Sequence, residues 1–127
     1  MKVNQVKEAF SKKFGTSFRL FAAPGRINLI GEHTDYNDGF VLPAAIDKRI
    51  YLAIEPKEDD IVKIVSLDFD QSVEFNIIES AQNLPHWAMY PFGVIKEMQA
   101  AGHTIKGFNA VFGGDIPKGA GLSSSAA

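Results

Sequence analysis

A polar segment enclosed by apolar ones is the feature that most restricts how this sequence can fold. The segment covers residues 25–43 and reads GRINLIGEHTDYNDGFVLP. Between its apolar runs lie an imidazole and three carboxylates, those of His33, Glu32, Asp35 and Asp38. A solvated turn, a metal site or a pocket for a polyhydroxylated ligand could each explain this grouping. Features elsewhere in the sequence are needed to choose between these three explanations.

The composition is that of an ordinary globular domain. The chain has 127 residues, of which 46% are apolar and 22% are charged, enough for one domain with a sizeable core. Its net charge of −2 and scattered lysines and arginines argue against a nucleic-acid partner. It has no cysteine, which excludes disulfides and thiolate zinc sites. With neither a secretory leader nor an apolar span, we expect a cytoplasmic protein without a membrane partner.

Apolar residues recur at spacings of three and four in two places, which predicts two helices. The first helix ends at Gly15, and its stripe consists of Val3, Val6, Phe10 and Phe14. The second covers residues 87–101 and ends at Gly102, although Pro91 weakens its start. Its stripe consists of Val94, Ile95 and Met98.

Apolar and alternating runs between turn residues predict the strands. The first covers residues 17–23 and ends at Pro24-Gly25, and a short apolar segment, residues 27–30, follows. A polar break at residues 47–49 separates two further strands, and a turn at LDFDQ makes a hairpin of the next two. The predicted ranges of these and the last strand are 40–46, 50–56, 61–67, 72–77 and 108–112. Strands with interspersed helices predict an α+β domain with a mixed β-sheet flanked by helices.

A second informative segment, GGDIPKGAGLSSSAA at residues 113–127, follows the last predicted strand. Glycines let backbone N–H groups approach an anion, and serines followed by alanines favour a helix start. A strand, a glycine loop and a helix start together make a phosphate cradle. The Gly-Lys-Ser/Thr triplet of a Walker A loop is absent, and a plain Gly/Ser loop remains an alternative. Because the chain stops where the helix should begin, we expect it to be the N-terminal piece of a larger enzyme.

A protein-only metal site is the weakest interpretation of the first segment. No second histidine stands at ligand spacing from His33, and the spacing of an EF-hand is missing. Carboxylates that accept hydrogen bonds from hydroxyl groups suit a sugar, and Arg26 could stabilise phosphoryl charge. On the residues alone, a polar-ligand pocket and a solvated turn both remain open.

Together the two segments resemble those of the galactokinases in the GHMP kinase superfamily, and LPHWAMYPFGVI, residues 84–95, is similar to the family as well. The resemblance implies ATP-dependent phosphorylation of galactose at its anomeric hydroxyl, the first committed step of galactose catabolism, with Mg²⁺. It also implies the N-terminal domain fold of a GHMP kinase (ribosomal protein S5 domain 2-like). Residues 1–127 would then be a sugar- and ATP-binding domain, truncated at the phosphate loop, whose partner is the missing C-terminal part of the same polypeptide.

The resemblance also assigns roles to residues of the first segment. Arg26 would lie by the reacting hydroxyl and the γ-phosphate, where it stabilises charge. Glu32 and His33 would bind the 6-hydroxyl end of galactose, and Asp35 would accept hydrogen bonds from the 3- and 4-hydroxyls. Arg26 could instead be a structural ion-pair partner, and His33 a satisfied loop residue. Asp38 is interpreted as part of a turn.

For ATP, the resemblance assigns the second segment and one aromatic residue. Ser124 or Ser125 would face Mg²⁺, and Trp87 would line the adenine pocket, although Trp87 could equally be plain core. The phosphate-binding backbone would be that of Gly119, Ala120, Gly121, Leu122, Ser123, Ser124 and Ser125.

In this family the catalytic aspartate, a magnesium-binding glutamate and a sugar-contacting tyrosine come from segments beyond the second motif. We therefore expect the isolated 127-residue chain to be inactive and to expose apolar surface. Two rival functions remain: a non-catalytic galactose and ATP sensor on the same scaffold, and a kinase for a related sugar such as N-acetylgalactosamine or arabinose.

Overall fold

The computed structural model describes residues 2–30, 42–78 and 83–115, and for residues 26–30 and 42–47 it describes the backbone alone. Within these ranges the chain forms two α-helices, one 3-10 turn and five strands. The helices are α1 (Lys2–Phe14) and α2 (Met89–Ala100), and the 3-10 turn, His86–Ala88, directly precedes α2. The strands are β1 (Arg19–Ile30), β2 (Leu42–Pro56), β3 (Ile61–Ser66), β4 (Gln71–Asn76) and β5 (Phe108–Gly114).

The strands form one mixed sheet in the order β1-β2-β5-β3-β4. Strands β3 and β4 pair antiparallel, in register from Ile61 opposite Asn76 to Ser66 opposite Gln71. Strand β3 pairs parallel with β5, beginning at Val62 opposite Phe108, so the connection between them has to cross over. The crossover contains β4 and α2. The predicted α+β class, with a mixed sheet and two helices, is confirmed.

The chain divides into two compact units. The first consists of Met1–Phe21 and Tyr51–Gly113, and the second consists of Ala22–Ile50 and Gly114–Ala127. The first unit contains two apolar clusters. The buried residues of one are Val62, Ile64, Ile77, Trp87, Ala88, Ile95 and Ala110. Those of the other are Val6, Phe10, Ala53 and Val111. Because Ala110 and Val111 are consecutive strand residues, the clusters lie on opposite faces of β5.

Helix α1 covers one of these faces, as its apolar stripe predicts. Val6 and Phe10 are completely buried, and the Phe10 ring lies 5.1 Å from that of Phe14 and 5.0 Å from that of Phe18. Gly15 follows with φ of 103°, a left-handed conformation that glycine adopts without steric cost. The predicted helix and its glycine stop are confirmed.

Helix α2 is confirmed, but only one residue of its predicted apolar stripe is buried. Ile95 is 5% exposed, whereas Val94 is 59% and Met98 41% exposed. The face turned to the sheet instead carries Ala88, Phe92 and Ile95, which recur at spacings of four and three. Pro91 is tolerated because it lies in the first turn, where a backbone N–H has no partner within the helix. Neither α1 nor α2, nor any other helical segment in the described ranges, is long and apolar enough to cross a membrane.

Two predicted strand interruptions are wrong. Strand β1 continues through Pro24-Gly25 to Ile30, because β1 is first in the strand order and an edge strand tolerates proline. Strand β2 runs unbroken through residues 47–49, because the sheet supplies backbone partners there whatever the polarity of the side chains. The predicted β3–β4 hairpin and the last strand are confirmed, β5 extending two residues further, to Gly114.

Candidate functional site

The two motifs of the sequence are attached to the described strands. The first, residues 25–43, begins at Gly25 in β1 and ends in β2, which starts at Leu42. The second, residues 113–127, begins with the last two residues of β5, Gly113 and Gly114. The structure therefore shows how the strands next to the motifs pair with their neighbours in the sheet.

Most of the predicted site residues lie outside the described residues. This applies to the sugar-binding candidates Glu32, His33 and Asp35. Arg26 lies in β1, and its side chain is outside the described part of the structure. The same applies to the whole phosphate-binding set: Gly119, Ala120, Gly121, Leu122, Ser123, Ser124 and Ser125. Their predicted roles stay predictions.

A pair of hydrogen bonds joins Arg49, in β2, to Asp115, near the start of the second motif. The backbone N–H of Asp115 donates to the carbonyl oxygen of Arg49 at 3.0 Å. In return, the backbone N–H of Arg49 donates to Oδ1 of Asp115 at 2.6 Å. Both residues belong to the second compact unit. Asp115 thus continues the pairing of β5 with β2 by one residue, with its side chain in place of a backbone carbonyl.

Gly114 brings the two strands close together at this point. A Cβ atom on Gly114 would lie against the carbonyl oxygen of Arg49 and 2.8 Å from Cα of Ile50. Side-chain Cβ atoms do not approach backbone this closely, so the position requires glycine. Gly114 and Asp115, at the start of the second motif, therefore fix the end of β5 against β2. Sequence reasoning missed this contact, since Arg49 and Asp115 are 66 positions apart.

Trp87, the predicted adenine-pocket residue, lies in the core of the first unit. Its side chain is buried, and its indole Nε1 donates to Oε1 of Gln71 at 2.6 Å. The ring packs edge-on against Phe112 with centroids 5.6 Å apart and lies parallel to Phe69 at 6.2 Å. Phe69 itself is exposed. The packing shows that Trp87 contributes to the core, and its contact with adenine stays a prediction.

The residues assigned to Mg²⁺ fit that ion by the chemistry of their donor atoms. Serine hydroxyls are hard oxygen donors, and Mg²⁺ prefers a few such ligands together with water and substrate phosphates. Among residues 2–30, 42–78 and 83–115, no group of three or more His, Asp and Glu side chains is arranged to hold a metal ion. The Mg²⁺ assignment therefore stays with Ser124 and Ser125, which lie outside those ranges.

Comparison with known proteins relates the chain to sugar kinases. Residues 8–56 match the family described as the galactokinase galactose-binding signature. A galactokinase of Roseiflexus sp. (strain RS-1) is 43% identical over 124 residues, which cover 97% of this chain and 32% of that protein. The chain therefore spans about a third of the length of this curated relative.

Solved structures of a galactokinase and of another kinase also match the chain. The crystal structure of Lactococcus lactis galactokinase complexed with galactose matches with a TM-score of 0.85 and 39% identity, over 99% of this chain and 34% of that one. The Methanococcus jannaschii mevalonate kinase matches with a TM-score of 0.67 and 21% identity, over 87% of this chain and 36% of that one. At that identity the second match shows a shared fold alone.

Proposed function

Because the chain is related to the galactokinases of the GHMP family in sequence and in fold, we propose that the complete polypeptide phosphorylates galactose with ATP. The observation that carries this proposal is the match of residues 8–56 to the galactose-binding signature. This range includes Arg26 and all three sugar-binding candidates, Glu32, His33 and Asp35. The matched relatives are about three times as long as this chain, so the proposal concerns the whole polypeptide.

The sugar is recognised by the polar side chains of the first motif. Glu32 and His33 bind the 6-hydroxyl end of galactose, and Asp35 accepts hydrogen bonds from the 3- and 4-hydroxyls. A carboxylate accepts such bonds strongly, and a site built around one hydroxyl arrangement rejects the epimer that lacks it. Asp35 therefore contributes much of the discrimination between galactose and its epimer glucose.

The reaction joins the anomeric oxygen of galactose to the γ-phosphorus of ATP. The bond between that phosphorus and the β–γ bridging oxygen breaks, ADP leaves, and the hydroxyl proton passes to a base that is not assigned to any acid of this chain. Such transfer depends on positioning and on stabilising charge, which is the role of Arg26.

The nucleotide is held by the second motif. The backbone from Gly119 to Ser125 binds its phosphates, and Trp87 lines the adenine pocket. Ser124 or Ser125 holds Mg²⁺, which supplies charge neutralisation at the phosphates when bound. The lack of cysteine suits a reducing compartment, so we place the enzyme in the cytoplasm.

Substitution of Asp35 in the complete polypeptide tests the proposal. Asp35→Ala should lower kcat/KM for galactose by a factor on the order of 10² to 10⁴, because the hydroxyls lose their acceptor. Asp38→Ala, which removes a carboxylate interpreted as part of a turn, is the matched control and should change kcat/KM by less than about threefold. A panel of galactose, N-acetylgalactosamine and arabinose should show galactose as the best substrate. Equal turnover of N-acetylgalactosamine would contradict the choice of sugar.

A further inference from the structure

The side chain of Asp115 performs a task that strand pairing ordinarily gives to a backbone carbonyl. Its Oδ1 accepts the N–H of Arg49 at 2.6 Å, while its own N–H donates to the carbonyl oxygen of Arg49 at 3.0 Å. A short hydrogen bond to an ionised carboxylate is among the stronger hydrogen bonds in proteins. Asp115, the third residue of the second motif, is thereby attached to β2 through both its backbone and its side chain.

From this arrangement we propose that Asp115 is a positioning residue for ATP binding, neither a ligand of Mg²⁺ nor a base. The inference rests on the proposed function, because it takes the segment after Asp115 to bind the phosphates. Phosphate binding by backbone N–H groups depends on where those groups lie, and a displacement of about 1 Å is costly. In general, holding a binding segment in its bound geometry raises affinity, because less ordering has to accompany binding.

The glycine before Asp115 supports a positioning role. Since a Cβ on Gly114 would meet Arg49 and Ile50, the strands lie close together at the end of β5. Close approach of the strands and the Asp115 hydrogen bond act at the same point. Together they fix the position from which residue 116 continues.

Because Asp115 bonds to the backbone of Arg49, substitutions of the two side chains can separate the effect of this hydrogen bond from that of the Arg49 charge. Asp115→Ala removes the acceptor, whereas Asp115→Asn retains an oxygen that can accept the same N–H. Arg49→Ala removes the exposed guanidinium and retains the N–H. A positioning role therefore predicts damage from the first variant alone.

The experiment measures the affinity of the complete polypeptide for ATP in the presence of Mg²⁺ by calorimetry, together with its affinity for galactose. Asp115→Ala should weaken ATP binding about three- to tenfold, the equivalent of one lost hydrogen bond. Asp115→Asn and Arg49→Ala should stay within about twofold of the parent, and galactose affinity should stay within about twofold in all three. Hydrogen exchange should show the Arg49 amide less protected in Asp115→Ala and unchanged in Asp115→Asn.

Two results in the Asp115 variants would overturn the proposal. One is unchanged ATP affinity in Asp115→Ala, and the other is equal loss in Asp115→Asn and Asp115→Ala, which a metal ligand or a base would produce. A parent protein that fails to bind ATP at all would overturn it too. A parent protein that binds ATP but does not phosphorylate galactose contradicts the proposed function alone, and the calorimetry still tests Asp115.

Discussion

The indole N–H of Trp87 donates a 2.6 Å hydrogen bond to Oε1 of Gln71. Trp87 lies in the 3-10 turn before α2, and Gln71 is the first residue of β4. The bond therefore attaches the start of the helical segment to an edge strand of the sheet and satisfies the polar atom of a buried ring. It also fixes the orientation of the one side chain to which an adenine contact is assigned within the described residues.

Removal of the Gln71 acceptor should destabilise the fold. We expect Gln71→Ala to lower the free energy of unfolding by about 1 kcal/mol, because the indole N–H loses its partner. Gln71→Glu retains an acceptor oxygen and should cost less. Urea denaturation of the complete polypeptide measures the difference. Equal losses in both variants would show that the hydrogen bond contributes nothing measurable.

Gly107, just before β5, should tolerate no side chain. A Cβ there would meet the backbone carbonyl oxygen of Ile61, and it would lie 2.6 Å from the Ile61 nitrogen and 2.8 Å from Oδ1 of Asp59. We expect Gly107→Ala to lower the free energy of unfolding by about 1–3 kcal/mol through overpacking. Gly93→Ala is the matched control, since Gly93 lies within α2 and a Cβ there has no neighbour within 4 Å.

The control should change stability in the opposite direction. Alanine is a better helix former than glycine, so Gly93→Ala should raise the free energy of unfolding by up to about 1 kcal/mol. Thermal denaturation of both variants checks the pair. A Gly107→Ala protein as stable as the parent would contradict the close packing of this segment on β3.

The charge of Asp59 should make stability depend on acidic pH. The Ile61 N–H, which donates to Oδ1 of Asp59 at 3.1 Å, and the nearby Lys57 hold the pKa of this carboxyl below its ordinary 3.8. A lowered pKa means that the stabilisation is complete above pH 3.8 and is lost as the pH falls through the folded-state pKa. Between pH 7 and pH 3, the parent should therefore lose more unfolding free energy than Asp59→Asn does.

The comparison of the two pH profiles needs a control for charge alone. Glu58→Gln removes a neighbouring exposed carboxylate and should leave most of the pH dependence of the parent. A profile of Asp59→Asn that is parallel to that of the parent would contradict this assignment.

The outward face of α2 should promote association of the 127-residue chain. Tyr90, Val94 and Met98 recur every four residues along it, and all three are exposed. Substitution of Val94 and Met98 by lysine should reduce self-association in sedimentation velocity, whereas Asn4→Lys, on exposed surface of α1, should not. Unchanged association of the double variant would show that another surface is responsible.

The parts of the fold that the sequence predicted are those set by local pattern. The α1 stripe, the glycines after each helix and the β3–β4 hairpin all depend on residues close in the chain, and all are confirmed. The wrong strand predictions concern long-range pairing. Proline is tolerated in β1 because of its place at the sheet edge, and residues 47–49 stay in β2 because Asp115 pairs with Arg49. Neither the edge position of β1 nor the pairing of Asp115 with Arg49 can be inferred from a local sequence pattern.

The same division applies to the candidate site. The residue types of the first motif predicted a polar-ligand pocket or a turn, and the resemblance to galactokinases favours the pocket, which stays a prediction. The hydrogen bonds between Arg49 and Asp115 could not be predicted, because the two residues are brought together by the strand order alone. The sequence likewise left open whether Trp87 is core, and its burial and its bond to Gln71 now establish that it is.

The most direct test of the central claim is ³¹P NMR of the complete polypeptide incubated with ATP, Mg²⁺ and galactose. We predict that ATP is consumed and that galactose 1-phosphate and ADP appear in equal amounts. Binding of both ATP and galactose without any sugar phosphate would contradict the claim and identify the protein as a sensor.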